Sequence, residues 1–145
     1  MKKYAILSIL GLVLMCFPYL GNAQESQKEN PDPTTKIEVI DFYGTHRCMT
    51  CKAIEANTKY TLDTYFSKEM KNGTIKFLTV NVDDEKNFEK AEKFEASGTA
   101  LFLNVMNNGE ETQIDLTELA FMKGKNKEEF SKALKTKIEG ELIKQ

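Results

Sequence analysis

The sequence has no tryptophan, one histidine, one arginine, three prolines and three cysteines among its 145 residues. Three cysteines are too few for a small domain that many disulfides stabilise. The formal net charge of −2 argues against a nucleic-acid-binding protein that relies on a broad basic surface. The chain also lacks a G-x-G-x-x-G sequence, so no motif in it predicts a bound flavin or nicotinamide cofactor.

The chain does have enough large apolar side chains for a core. Nine phenylalanines and five tyrosines argue against a disordered protein. A length of 145 residues fits a single domain, since one hydrophobic core typically serves on the order of 100–150 residues. All three prolines lie before residue 34, so the folded part of the chain is expected to contain none.

The first 23 residues are typical of an export signal. Lys2 and Lys3 precede an apolar stretch at 4–17, and small residues stand at 21–23, where a signal peptidase would cut. We predict that cleavage after Ala23 removes residues 1–23, which places the protein in the periplasm or outside the cell. The alternative is a retained membrane anchor, but the stretch is shorter than the roughly 20 residues that span a bilayer.

Cleavage would also remove Cys16 and leave Cys48 and Cys51 as the remaining cysteines. The mature chain would have 18 basic and 22 acidic residues, a net charge of −4 over 122 residues. Residues 24–35 are polar and contain two prolines, so they predict a flexible tether ahead of a domain at 36–145. Cysteines three positions apart close too small a loop to add much stability, so we interpret the pair as chemically active.

The hydrophobic pattern beyond the tether predicts alternating strands and helices. Runs of β-branched and aromatic residues predict strands at 37–43, 74–82, 100–106 and 111–116. Apolar residues at helical spacing predict helices at 49–71, 85–96 and from 126 to the end. The order β-α-β-α-β-β-α predicts an α/β fold, with a central mixed sheet and helices on both faces.

Local signals refine this prediction. The helices between the first three strands predict right-handed crossovers and parallel pairing of those strands. Asn108-Gly109 predicts a tight hairpin turn before the fourth strand. Asp84 is a predicted N-cap for the second helix. The apolar run at 119–122 is expected to pack in the core.

The sequence Cys48-Met49-Thr50-Cys51 lies where the first strand gives way to the first helix. The unpaired N–H groups and partial positive charge of a helix N-terminus stabilise a thiolate over a thiol. Cys48 is expected at the exposed start of the helix, with Cys51 shielded one turn further on. Such a pair can attack a partner disulfide with its first sulfur and resolve the mixed disulfide with its second.

Other segments resemble motifs of the thioredoxin superfamily. They are residues 41–43 (Asp-Phe-Tyr), Cys48-x-x-Cys51-Lys52, residues 81–83 (Asn-Val-Asp) and Gly98 before the third strand. The resemblance covers residues 36–142 and implies a thioredoxin-like three-layer fold. It implies exchange with protein thiols or disulfides, no cofactor, and reset by an external redox partner. It also implies that Asp41 matches the family's buried, proton-shuttling aspartate.

The chain departs from the family pattern at the position of the proline that faces the cysteines. Ala100 stands there, preceded by Thr99. A cis peptide bond before alanine costs about 2.5–4 kcal/mol, so we predict a trans bond and a more open space beside the sulfurs. Met49, Thr50, Thr99 and Ala100 are the residues that we expect to face a substrate.

Charged residues next to the pair predict tuning of its thiols. His46 and Arg47 directly precede Cys48, and a fixed cation close to a thiolate lowers its pKa. Arg47 is therefore a predicted thiolate-tuning residue, and His46 is either a second one or a solvated loop residue. Asp41 is either a surface residue or a buried carboxylate that takes the proton of Cys51 during resolution.

These observations favour an exported thiol–disulfide oxidoreductase that acts through Cys48 and Cys51. A second interpretation is a copper- or zinc-binding protein that uses the same thiols, although structural zinc sites normally have four ligands. A third is a non-enzymatic thioredoxin-like binding module in which the disulfide is a local lock. No segment predicts nucleic-acid binding, membrane attachment after cleavage, or a particular oligomeric state.

Overall fold

The computed structural model describes residues 35–144. The predicted signal peptide at 1–23 and nearly all of the predicted tether lie outside these residues. Thr35, the last residue assigned to the tether, is instead the buried first residue of a strand. The ordered sheet therefore begins one residue before the expected domain boundary.

Four strands and five helices make up the described chain. The strands are β1 (Thr35–Tyr43), β2 (Ile75–Asn81), β3 (Ala100–Asn107) and β4 (Glu110–Asp115). The helices are α1 (Met49–Tyr65), α2 (Ser67–Lys71), α3 (Phe88–Lys93), α4 (Thr117–Lys123) and α5 (Lys127–Ile143). A single 3₁₀ turn at Glu85–Asn87 leads into α3, and Asp84 caps that turn through a side-chain bond to the backbone of Lys86.

The predicted first helix is divided into α1 and α2 at Phe66. The backbone of Phe66 leaves the helical conformation at φ −128°, and its side chain is 3% exposed. Burial of the Phe66 ring in the core stabilises this conformation more than a continued helix would. The predicted hairpin turn is confirmed, since Asn108 and Gly109 both have positive φ values, 51° and 87°.

The sheet is mixed and has the order β2-β1-β3-β4. β1 pairs in parallel with β2 but antiparallel with β3, so the predicted parallel pairing of the first three strands is wrong for β3. A parallel crossover needs an element that returns along the length of the sheet. α3 has six residues, about 9 Å of helix, and the chain therefore enters β3 at the edge where β1 ends.

Alternate residues of β1 belong to two cores on opposite faces of the sheet. Ile37 and Val39 pack in a core with residues of α1, α4 and α5, whereas Ile40 and Phe42 pack in a second core with Phe94, which follows α3. Since side chains alternate along a strand, Asp41 lies on the face of Ile37 and Val39. The predicted α/β fold, a mixed sheet with helices on both faces, is confirmed.

The run at 119–122 forms most of α4, and the prediction that it packs in the core is largely wrong. Ala120 is 1% exposed, but Phe121 and Met122 are 44% and 74% exposed. A helix of seven residues turns one narrow face to the core, and in α4 that face is occupied by Ala120.

Candidate active site

Cys48 and Cys51 form a disulfide at the start of α1, with their Cα atoms 5.1 Å apart. Cys48 is the N-cap residue, and its sulfur accepts a 3.1 Å hydrogen bond from the backbone N–H of Cys51. After reduction the same N–H group and the helix terminus would stabilise negative charge on this sulfur. The structure therefore has the pair where the sequence predicted it, at the junction between the first strand and the first helix.

The two cysteines differ in accessibility. Cys48 is exposed, and the neighbouring Met49 is 82% exposed. Cys51 is only 7% exposed and faces the core. A partner sulfur can therefore approach Cys48 from solvent, while Cys51 is placed to act from behind it.

Arg47 turns inward from the loop between β1 and α1, and its side chain is 16% exposed. Nη2 donates hydrogen bonds of 3.2 Å to Asp41 Oδ2 and 3.2 Å to the carbonyl oxygen of Cys51. Nη1 contacts a carboxylate oxygen of Glu55, and the guanidinium lies 4.4 Å from the ring centre of Tyr43. The cation that we predicted beside Cys48 thus makes its direct contacts with the groups around Cys51.

Asp41 is fully buried, at 0% exposure, and Nη2 of Arg47 links it to the carbonyl oxygen of Cys51. The sequence left two alternatives for Asp41, a surface residue or a buried carboxylate, and in the structure it is a buried carboxylate. Burial raises the pKa of Asp41 from 3.8 to about 7, although the positive charge of Arg47 opposes the rise and the negative charge of Glu55 adds to it. A carboxyl group with this pKa exchanges protons readily at neutral pH.

His46 lies in the exposed part of the same loop. The loop is held by Asp83, which follows β2 and accepts a 2.6 Å hydrogen bond from the backbone N–H of Thr45. This bond fixes the residues directly before Arg47. The structure therefore gives His46 a solvent-facing position and Arg47 an interior one.

Thr99 and Ala100 are half-buried where the chain enters β3. They line a cleft of about 540 Å³ between the end of α3 and the end of β4, together with Phe94, Gln113 and Asp115. Within residues 35–144 every peptide bond is trans, including the bond before Ala100. Met49 and Thr50 lie in the first turn of α1 and are not among the residues that line this cleft.

Sequence reasoning missed two residues that shape the site, Glu55 and Asp83. Glu55 stands four positions after Cys51, a spacing that puts both on one face of a helix, and this signal could have identified it. The sequence indicated Asp83 only as part of the Asn-Val-Asp segment at 81–83, without a role in the site. Its bond to Thr45 joins chain segments 38 residues apart, which no local pattern indicates.

Two further observations concern residues 35–144 only. Across residues 35–144, no group of three or more His, Cys, Asp or Glu side chains is arranged to hold a metal ion. None of the helices in the same part of the chain combines the length and the apolar character that crossing a membrane requires.

Comparison with known proteins gives structural neighbours only. No protein-family model matches the sequence, and no curated protein matches it significantly. Mitochondrial thioredoxin 3 from Saccharomyces cerevisiae, in its oxidised form, is 23% identical with a TM-score of 0.40, over 61% of this chain and 76% of that one. Fasciola hepatica thioredoxin is 20% identical with a TM-score of 0.38, over 61% and 76% of the two chains. Malassezia sympodialis thioredoxin is 21% identical with a TM-score of 0.37, over 61% and 75%.

The topology and the site together define the class of this protein. The sheet order β2-β1-β3-β4, the helices on both faces and the C-x-x-C disulfide at the start of α1 give it a thioredoxin-like α/β fold. The resemblance seen in the sequence is therefore confirmed at the level of the fold and of the cysteine motif.

Proposed function

We propose that the protein is an exported thiol–disulfide oxidoreductase that exchanges disulfides with protein clients. The observation that carries the proposal is the asymmetry of the pair. Cys48 is exposed at a helix N-terminus, and Cys51 is buried. Nη2 of Arg47 links the carbonyl oxygen of Cys51 to Asp41, a carboxyl group with a pKa of about 7. A purely structural disulfide has no use for an accessible sulfur or for a proton carrier beside it.

The reaction with a client disulfide has two steps. The Cys48 thiolate attacks one client sulfur, a mixed disulfide forms, and the other client sulfur leaves as a thiolate that takes a proton from water. Cys51 then loses its proton to Asp41 and attacks the Cys48 sulfur. The Cys48–Cys51 bond forms, the bond to the client breaks, and two electrons have passed to the client. The reverse sequence oxidises a client dithiol, and an external redox partner resets the pair in either direction.

A Cys51→Ser trap tests this function. Without its resolving sulfur, Cys48 should accumulate mixed disulfides with clients that are released by dithiothreitol. The matched control is Cys48→Ser, which retains the buried sulfur and should trap nothing. Purified wild-type protein should also reduce a disulfide-bonded test peptide in the presence of thiol reductant. Failure of both assays, or stoichiometric copper or zinc bound through the thiols, would overturn the proposal.

Export is a separate part of the proposal and has its own test. It is supported by the basic start, the apolar stretch and the small residues at 21–23. We expect the mature protein to begin at Gln24 and to occur in the periplasm, or otherwise in the medium. N-terminal sequencing of the protein from fractionated cells measures both, and an intact N-terminus on protein recovered from the cytosol would contradict export.

A further inference from the structure

The ion pair between Arg47 and Asp41 is incomplete. Arg47 and Asp41 share one hydrogen bond, from Nη2 to Oδ2 at 3.2 Å. The other atoms of the two groups that could pair, Nε of Arg47 and Oδ1 of Asp41, are both buried and have no hydrogen-bond partner among the described residues. Buried polar atoms without partners cost free energy and call for an explanation.

The geometry of a guanidinium group shows what is missing. Its N–H groups are fixed in a fork, and the strongest pairing with a carboxylate has two parallel hydrogen bonds. Nε and Nη2 form one edge of the fork, so a small rotation that brought Nε to Oδ1 would complete the pair and satisfy both orphan atoms. The contacts that hold the group in its present position are those of Nη1 with Glu55 and of Nη2 with the carbonyl oxygen of Cys51.

We propose that Glu55 is a positioning residue for disulfide exchange. By holding Nη1 of Arg47, it prevents the guanidinium from closing a two-point ion pair on Asp41, and so leaves that carboxyl able to accept the proton of the Cys51 thiol. The inference rests on the proposed function. In this role Glu55, whose side chain is 35% exposed, acts through its ion pair with Arg47.

The surroundings of Asp41 support this role. The residues beside it in the sheet are Thr79 of β2 and Leu101 of β3, which have no charge. The charged groups that act on it are Arg47 from the loop and Glu55 from α1. Cys51, whose carbonyl oxygen shares Nη2 of Arg47 with Asp41, adds a titratable thiol when the disulfide is reduced. A closed fork would stabilise the ionised carboxylate and make Asp41 a weaker base for that thiol.

The test compares Glu55→Gln with Asp63→Asn, which removes an exposed carboxylate from the same helix. Both are studied with the disulfide intact, so that the cysteines do not titrate. Arg47 is the only arginine of the chain, so its ¹⁵Nε–H signal is assigned without ambiguity. In Glu55→Gln we expect this N–H to exchange more slowly with solvent, and ¹³C titration of the Asp41 carboxyl to give a pKa lower by about one unit. Asp63→Asn should change neither.

Removal of the Glu55 charge would by itself lower the pKa of Asp41, and the Arg47→Lys background separates the two effects. Lysine has no fork to close, so Glu55→Gln should shift the Asp41 pKa less in that background than in the wild type. Equal shifts in both backgrounds, or an unchanged Arg47 Nε–H in Glu55→Gln, would overturn the role of Glu55.

Exchange kinetics complete the test. The pH midpoint of the resolving step should move down in Glu55→Gln by the same amount as the Asp41 pKa. Normal exchange with an unmoved midpoint would overturn the role of Glu55 alone, whereas absence of exchange in the wild-type protein would overturn the proposed function itself.

Discussion

The backbone N–H of Thr45 donates a 2.6 Å hydrogen bond to Oδ2 of Asp83, and this bond joins the loop before the cysteines to the segment after β2. Gly44 also lies beside this oxygen, since a Cβ there would be in ordinary van der Waals contact with it, at 3.4 Å. Two residues later the chain must turn inward so that Arg47 can reach Asp41. The carboxylate of Asp83 therefore supports the position of a cation with which it makes no contact of its own.

We expect Asp83→Ala to lower the melting temperature at neutral pH, because the loop loses this anchor. The hydrogen bond from Thr45 holds the pKa of Asp83 below its ordinary value of 3.8. A depressed folded-state pKa means that the stabilisation is complete above the unfolded value and is lost as the pH falls through the folded value. The melting temperatures of Asp83→Ala and the wild type should therefore differ at pH 7 and become equal as the pH falls to 2. A difference that is constant over this range would contradict the prediction.

Asp41 should have the opposite effect on the pH dependence of stability. Its pKa is raised from 3.8 to about 7, so the folded protein binds a proton that the unfolded chain releases. The free energy of unfolding should therefore fall as the pH rises from about 4 to 7, by up to about 4 kcal/mol. Asp41→Asn removes this titration, and its stability should stay nearly constant over the same range.

Denaturant unfolding at pH 4, 6 and 8 measures both profiles. Asp63→Asn is the control, since loss of that exposed carboxylate should leave the wild-type slope in place. Parallel profiles for the wild type and Asp41→Asn would show that Asp41 is ionised in the folded protein throughout this range.

The sequence was sufficient to predict the parts of the site that depend on local periodicity. The run of β-branched and aromatic residues in β1 and the helical spacing after residue 49 place the cysteine pair at a strand-to-helix junction, where the structure has it. The direction of β3 was mispredicted because it depends on whether the six-residue α3 can return along the sheet, and the hydrophobic pattern had indicated a longer helix.

The contacts of Arg47 show a second limit. The sequence places Arg47 next to Cys48, and adjacency suggested an effect on that sulfur. The direction of its side chain is instead decided by two carboxylates, one six residues earlier in β1 and one eight residues later in α1. Which of several nearby charges an arginine contacts depends on packing between elements, and no spacing rule along one element contains that information.

The effect of Arg47 on Cys48 remains a prediction that can be measured. In Arg47→Ala we expect the pKa of the reduced Cys48 thiol to rise by about one unit, because a cation near the helix terminus is lost. The rate of alkylation of Cys48 by iodoacetamide as a function of pH reports this value. Lys52→Ala is the matched control, since it removes an exposed positive charge in the same helical turn. An unchanged Cys48 pKa in Arg47→Ala would limit the role of this arginine to the groups around Cys51.

Gly124, which follows α4, packs against the beginning of α1. A Cβ there would lie 2.6 Å from the carbonyl oxygen of Ala120 and 3.0 Å from Cγ1 of Ile54. The carbonyl oxygen of Gly124 also accepts a 2.9 Å hydrogen bond from the side chain of Asn57, so the backbone has little freedom to move away. We expect Gly124→Ala to lower the free energy of unfolding by about 1–3 kcal/mol.

The matched control for this substitution is Gly140→Ala in α5, where a Cβ meets nothing within 4 Å. Because alanine is the better helix former, this variant should be up to about 1 kcal/mol more stable than the wild type. Urea unfolding measures the free energy of unfolding of both variants, which should fall in Gly124→Ala and rise in Gly140→Ala. Equal stability of the two variants would contradict the close packing of Gly124 on α1.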